Sequence, residues 1–314
     1  MYVNNGFILN VPNHLKPSYR ISPFQTKDLI VNRLEYLSNN NADEYFKNRY
    51  INKQFIYTEN GRSALEKAIL VLNLQKKDTV TIFTTTSNLY ISSCVTQKIE
   101  KHCNWSRQVE KSTKAILINH EFGYCVEDME YYQSLGYPII EDFAHSFSAS
   151  NSIGDAGKYA DFLIFSLSKF FAVQMGGVLV YDKKYVNIKD DLEKTKRDYI
   201  LKNLSRNINN IDKINKKRFQ NFNIYRELFS SIGLTSTLSF NRNNVPAVFM
   251  FNIDDKVDLN IMKIYINNHG IESSIFYGKK SYFVPSHQNL EEDDIKYIFT
   301  VIKSFLEGCK GCKG

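Results

Sequence analysis

The chain has 314 residues, 43% of them hydrophobic and 23% charged, with a formal charge of +7, which suits one large core beside a smaller one. It holds no apolar run long enough to span a bilayer and no stripe of basic and aromatic residues, so membrane insertion and nucleic-acid binding are not expected. Its opening, MYVNNGFILNVPNHLK, lacks the basic and apolar regions of a secretory signal, and the five cysteines (Cys94, Cys103, Cys125, Cys309, Cys312) are odd in number and irregularly spaced. Reduced thiols in the cytoplasm are therefore expected, rather than disulfides.

In chain order, the first strong helical pattern is GRSALEKAILVLN, where Leu65, Ile69 and Leu72 recur at helical spacing behind a Gly61 start. Short apolar runs then alternate with helical patterns: TVTIF (79–83), AILIN (115–119), YPIIED (137–142), DFLIFS (161–166) and GVLVYD (177–182). Buried parallel strands covered by helices on both faces have this rhythm, so residues 61–182 are read as an α/β sheet domain. A charged, Asn-rich helical stretch over 187–230 follows, including the amphipathic KINKKRFQNFNIYRELF, and suggests a boundary near residue 186. Beyond it come an extended segment (245–253), a helix stopped by Asn268, His269 and Gly270, and a final helix around EEDDIKYIFTVIKSFL. The expected division is a large domain over 1–186 and a smaller α+β domain over 187–314.

Three stretches carry chemistry. In FSLSKFFAVQMGG, Lys169 lies directly after a buried strand, behind Ser166 and Ser168. Lysine is rarely held near a core without purpose, and an amine with reduced solvation at a strand end is a usable nucleophile toward a carbonyl. In IIEDFAHSFSAS, Asp142 closes an apolar strand and His145 follows three residues later. Open α/β sheets bind ligands at the carboxyl ends of their strands, and pyridoxal phosphate (PLP) needs an acidic partner on its ring nitrogen. In TENGRSAL, a glycine and small polar residues open a helix whose amides and dipole can meet an anion, although a plain helix cap has the same composition.

Taken in order, GRSAL, TVTIFTTTSNLYISSCV, INHEFGY, EDFAHSFSA, FSLSK and MGG resemble the motifs of the DegT, DnrJ, EryC1 and StrS family of PLP-dependent sugar aminotransferases, a branch of fold type I. FVPSHQNLEEDDIKYI (283–298) is similar to the family's C-terminal segment, and the likeness runs from about residue 55 onward. The resemblance implies a fold type I large domain with a mainly parallel sheet and a homodimer that binds PLP. It also implies small-molecule substrates: an amino-acid donor, usually glutamate, and a nucleotide-linked keto-sugar acceptor, in surface polysaccharide or glycan biosynthesis. Carried over, it makes Lys169 the Schiff-base lysine, places Asp142 on the pyridinium nitrogen and His145 beside the phenolate, and gives the phosphate to Arg62, Ser63 and Ser166.

The chain departs from the family at several points. Its Ser-x-Ser-Lys spacing is shorter than usual, leaving Ser168 as the alternative to Ser166. Asn88 occupies the position of the usual ring-stacking aromatic, with Tyr90 as a substitute nearby. The family's Asn-Tyr-Arg interface segment is not recognisable between 183 and 210. An inert PLP-binding regulator and a PLP enzyme of another reaction type are the rival readings, whereas Lys169 speaks against the branch of sugar dehydratases that carry histidine there. No Gly-x-Gly-x-x-Gly follows a strand, which disfavours a nicotinamide dehydrogenase. The Cys309/Cys312 pair lacks the further ligands of a zinc site, and no metal is expected.

Overall fold

The computed structural model describes residues 2–4, 7–9, 18–34 and 40–311, with side chains described over 18–34 and 40–308. The Cys309/Cys312 pair lies outside the described side chains. Short strands β1 (Tyr2–Asn4) and β2 (Phe7–Leu9) pair antiparallel, and helices α1 (Asp28–Arg33) and α2 (Asn41–Arg49) follow. Two compact units form: one from residues 22–215 and 240–245, the other from 1–21, 216–239 and 246–314.

The larger unit is built on seven strands: β3 (Lys53–Thr58), β4 (Thr79–Thr84), β5 (Asn104–Ser106), β6 (Thr113–Asn119), β7 (Ile139–Asp142), β8 (Phe162–Ser166) and β9 (Gly177–Asp182). They lie in the order β3-β9-β8-β7-β6-β4-β5. Helices α3 (Gly61–Val71), α4 (Ser93–Glu100) and α5 (Met129–Ser134) alternate with the strands. The apolar runs over 79–83, 115–119, 137–142, 161–166 and 177–182 all become strands, and Leu65 and Ile69 face the core beside Ile82, Leu117, Ile164 and Leu179. This is the α/β, mainly parallel architecture of PLP fold type I.

One strand differs from expectation. GVLVYD, read as parallel, runs antiparallel to both neighbours, β8 and β3. Its connection from β8 is ten residues, with only the single-turn helix α6 (Leu167–Phe170), whereas a parallel return needs a crossover of about a dozen residues or more. The edge strand β3, KQFIYT, is not among the expected strands: its β-formers Phe55, Ile56, Tyr57 and Thr58 make only a short run behind the polar Lys53 and Gln54.

The helical stretch after Asp182 resolves into α7 (Lys194–Ile208) and α8 (Ile211–Ser230), broken at Asn209 and Asn210. The division between the units falls inside α8, between Asn215 and Lys216, rather than near residue 186. Polar anchors explain this: Ser205 Oγ accepts from the Ala42 amide at 3.2 Å, and Asn203 and Arg206 donate to the backbone and side chain of Asn32. These bonds bind α7 to α1 and α2 in the larger unit.

The smaller unit contains an antiparallel sheet of β10 (Val248–Asn252), β12 (Ser281–Pro285) and β11 (Ser274–Phe276), in that order, with α9 (Leu259–Asn268) and α10 (Glu292–Gly311). It has the expected α+β character. Tyr225 and Phe249 stack in its core with ring centroids 4.9 Å apart. Among the described residues, no helix is long and apolar enough to cross a membrane.

Candidate active site

The chemistry-bearing residues gather at the carboxyl ends of the strands of the larger unit. Asp142 ends β7 and is buried, while Lys169 lies in the single turn that follows the neighbouring strand β8. In register, Asp142 pairs with Ile164 of β8, so the two residues belong to adjacent strand ends. Lys169 itself is exposed although Leu167 and Phe170 on the same turn are buried. Its place at the strand end, and not burial, distinguishes it.

Burial pushes the Asp142 carboxyl up from its ordinary value, opposed by the Ala144 amide, which donates to Oδ1 at 2.8 Å. A carboxylate that is costly to keep ionised on its own is suited to a cationic partner such as a protonated pyridine nitrogen.

The N-terminus of α3 lies beside the end of β8. Asn60 caps α3 by accepting the Ser63 amide at 3.0 Å, and the helix opens with Gly61, Arg62 and Ser63. The first turn of a helix leaves amides without intrahelical acceptors, directed outward with the positive end of the dipole. A Cβ on Gly61 would stand 3.1 Å from Ser166 Cβ, so the glycine lets the helix N-terminus close onto the end of β8. Arg62 is exposed and Ser63 half-buried. Ser166 is buried, whereas Ser168 is half-buried and its carbonyl accepts from Ser22 Oγ at 2.7 Å. The structure therefore sets Asp142 and Lys169 at the ends of the adjacent strands β7 and β8, and seats the N-terminus of α3, which carries Arg62 and Ser63, against Ser166.

His145 is half-buried, and its ring lies 5.0 Å from that of Phe122, which in turn lies 6.4 Å from Tyr90. Tyr90 thus shares an aromatic series with His145. Asn88 is buried, and its Oδ1 accepts the Tyr90 amide at 3.2 Å within its own loop.

Beneath the site lies a pair that the sequence reading left aside. His120 and Glu141 are fully buried, with His120 Nε2 2.8 Å from Glu141 Oε2. The Val126 amide donates to Nδ1 at 3.2 Å, so the proton sits on Nε2 and is donated to the carboxylate. Glu141 also accepts from the Gly157 amide. The Asp142 carbonyl accepts from the His120 amide at 3.2 Å, and this network fixes the backbone that aims Asp142. Glu121, next to His120, holds the Thr86 amide at 2.7 Å and so braces the loop leaving β4. The available signal was a charged residue inside an apolar strand, as in IIED. The cavity of about 610 Å³ between Leu234, Ile253 and Leu306 belongs to the smaller unit and holds none of these residues.

Lys169, Asp142 and the capped N-terminus of α3 lie at the carboxyl edge of a mainly parallel α/β sheet, and this architecture is that of PLP-dependent enzymes of fold type I. A family model of PLP-dependent aminotransferases matches residues 42–231, more than half of the chain, and the protein belongs to that family. A sequence search finds no curated protein that it matches.

Among solved structures, the chain is similar to the aminotransferase TlmJ from Streptoalloteichus hindustanus, with a TM-score of 0.70 and 14% identity over 86% of this chain and 92% of that one. It is also similar to a DegT DnrJ EryC1 StrS aminotransferase from Brucella abortus, with a TM-score of 0.67 and 14% identity over 89% and 93% of the two chains. DesV of S. venezuelae has a TM-score of 0.66 and 13% identity over 89% and 92%. At such identity these likenesses establish a shared fold.

Proposed function

We propose that the protein moves an amino group from an amino acid, glutamate, to a keto-sugar carried on a nucleotide, for surface polysaccharide or glycan synthesis. The reading rests on one observation above all: Lys169 and Asp142 occupy adjacent strand ends beside the capped N-terminus of α3. The sugar acceptor is supported by the motif resemblance and by the similarity in fold to aminotransferases of the DegT DnrJ EryC1 StrS type. The same resemblance supports a homodimer, and the odd number and irregular spacing of the cysteines support a reducing, cytoplasmic setting.

PLP bound here supplies a carbonyl that condenses with amines and an electron sink for the pair left when a proton departs. Arg62, Ser63 and Ser166 would hold its phosphate, with the α3 amides adding partial positive charge. Asp142, ionised against a bound pyridine nitrogen, would keep that nitrogen protonated. His145 would donate to the phenolic oxygen and Tyr90 would pack on the ring, in the loop where Asn88 fills the usual aromatic position. Lys169 would hold the cofactor through its ε-amine and, when that amine is free, would take the proton from the donor α-carbon, which requires an approach of about 3 Å.

The direct test is a single turnover without acceptor. PLP-loaded protein mixed with glutamate is expected to release one equivalent of 2-oxoglutarate, and subsequent addition of a nucleotide-linked keto-sugar to restore the starting spectrum. Absence of 2-oxoglutarate with every amino acid tried would favour an inert PLP-binding regulator.

A further inference from the structure

Arg107 follows the edge strand β5 and reaches across to the loop that leaves β4. Its Nη2 donates to the Asn88 carbonyl at 2.6 Å and to Thr84 Oγ1 at 3.2 Å. Its Nε and Nη1, although enclosed, have no protein acceptor, and Asn88 Nδ2 is in the same condition. Asn88 is 4% exposed, and its Oδ1 is already taken by the Tyr90 amide. Three enclosed donor atoms without acceptors therefore stand at one place.

Such a cluster calls for an explanation, because native proteins satisfy nearly all buried donors. A clasp on the loop would need only Nη2, since the Asn88 carbonyl also accepts from Thr84 Oγ1 at 2.8 Å. Burial disfavours the Arg107 charge, with the nearby charge of Glu121 opposing it, and Glu121 makes no hydrogen bond to Arg107 Nε or Nη1. Planar guanidinium groups with uncommitted N–H bonds match carboxylates and phosphates. The loop itself reaches the surface: Ser87 and Leu89, on either side of Asn88 in the chain, are exposed. Ser87 also holds a φ of 56°, a strained value for serine of the kind that clusters at ligand sites.

We infer that Arg107 and Asn88 form a subsite for a substrate oxyanion, either a carboxylate of the amino donor or a phosphate of the acceptor, at the β5 edge of the site. The inference rests on the proposed function in taking this end of the sheet as the substrate side.

The test is isothermal titration calorimetry of the PLP-loaded protein with two probes, inorganic pyrophosphate and glutarate. The wild type is compared with Arg107→Gln and Asn88→Ala, and the visible band of lysine-bound cofactor is recorded in each sample. One probe is expected to bind the wild type and to lose at least about tenfold in affinity in both variants, a loss equivalent to about 1.4 kcal/mol. Pyrophosphate as that probe assigns the subsite to the acceptor, and glutarate assigns it to the donor. No binding to the wild type, or equal binding to all three proteins, overturns the subsite and leaves Arg107 as a loop clasp. Absence of the visible band from the wild type would instead defeat the aminotransferase reading, so the two failures are distinguishable.

Discussion

Gly177 lies so close to Asn60 that a Cβ at position 177 would stand 2.4 Å from the Asn60 carbonyl carbon and 2.5 Å from its oxygen. The first residue of β9 thereby sets the turn that caps α3. The Gly176 amide reinforces it by donating to the Glu59 carbonyl at 2.8 Å. Gly177→Ala is expected to push Asn60 out of its capping position, costing about 1–3 kcal/mol of stability. It should also weaken PLP binding, since the displaced turn carries Arg62 and Ser63. Urea unfolding together with PLP titration checks both effects; unchanged PLP affinity would separate the turn from the cofactor.

Asp142 should trade stability for function. Its folded pKa lies above its unfolded one because of burial, so the unfolded chain ionises first as pH rises. The apoprotein therefore loses stability as pH climbs through the ordinary carboxylate range, and stops losing it above the raised value. Asp142→Asn should remove that part of the slope from apoprotein melting curves. The same variant should turn over more slowly by a factor on the order of 10² or more, as expected when a preorganised charge is removed. Parallel apoprotein slopes for the two proteins would contradict the assignment.

His287 predicts a second pH effect, in the smaller unit. It is buried, its Nε2 lies 2.9 Å from the Arg20 carbonyl, and its Nδ1 accepts the Asn289 amide at 3.2 Å. Burial, with the charge of Arg218, lowers its pKa from 6.5 to about 3. Between those values the unfolded state holds a proton that the folded state refuses, so stability falls as pH drops from 6.5 toward about 3. The slope should approach about 1.4 kcal/mol per pH unit. Urea unfolding across this window measures it, and His287→Gln should flatten the curve.

Asn60→Ala offers a smaller perturbation of the same cradle as Gly177. Losing the cap bond to Ser63 should cost about 1 kcal/mol. If the α3 N-terminus holds the PLP phosphate, the variant should also release the cofactor faster, measured as loss of the visible band on dilution.

The sheet was legible because its central strands are buried on both faces and read as continuous apolar runs, and because Leu65 and Ile69 keep helical spacing. β3 was not, since KQFIYT at the sheet edge is only partly buried and has no need of a continuous apolar run. The reversal of β9 depends on the length of a connection rather than on the composition of the strand. The division into compact units falls later than the change of composition after Asp182, because the polar bonds of Asn203, Ser205 and Arg206 that keep α7 with the larger unit join residues far apart in sequence. At the site, Lys169 and Asp142 were identifiable by position at strand ends. Lys169 nevertheless proved exposed, because a one-turn helix lifts it clear of the core that buries Leu167 and Phe170. His120, Glu141 and Arg107 were not picked out, because their roles arise from contacts between elements.

The central claim, that Lys169 carries PLP and passes it to an amino donor, is tested most directly by the visible spectrum of PLP-incubated protein before and after glutamate. Lys169→Ala serves as the control. The account predicts a lysine-dependent band that glutamate abolishes and that the variant lacks; a wild type without such a band, or a variant that retains it, would contradict the assignment of Lys169.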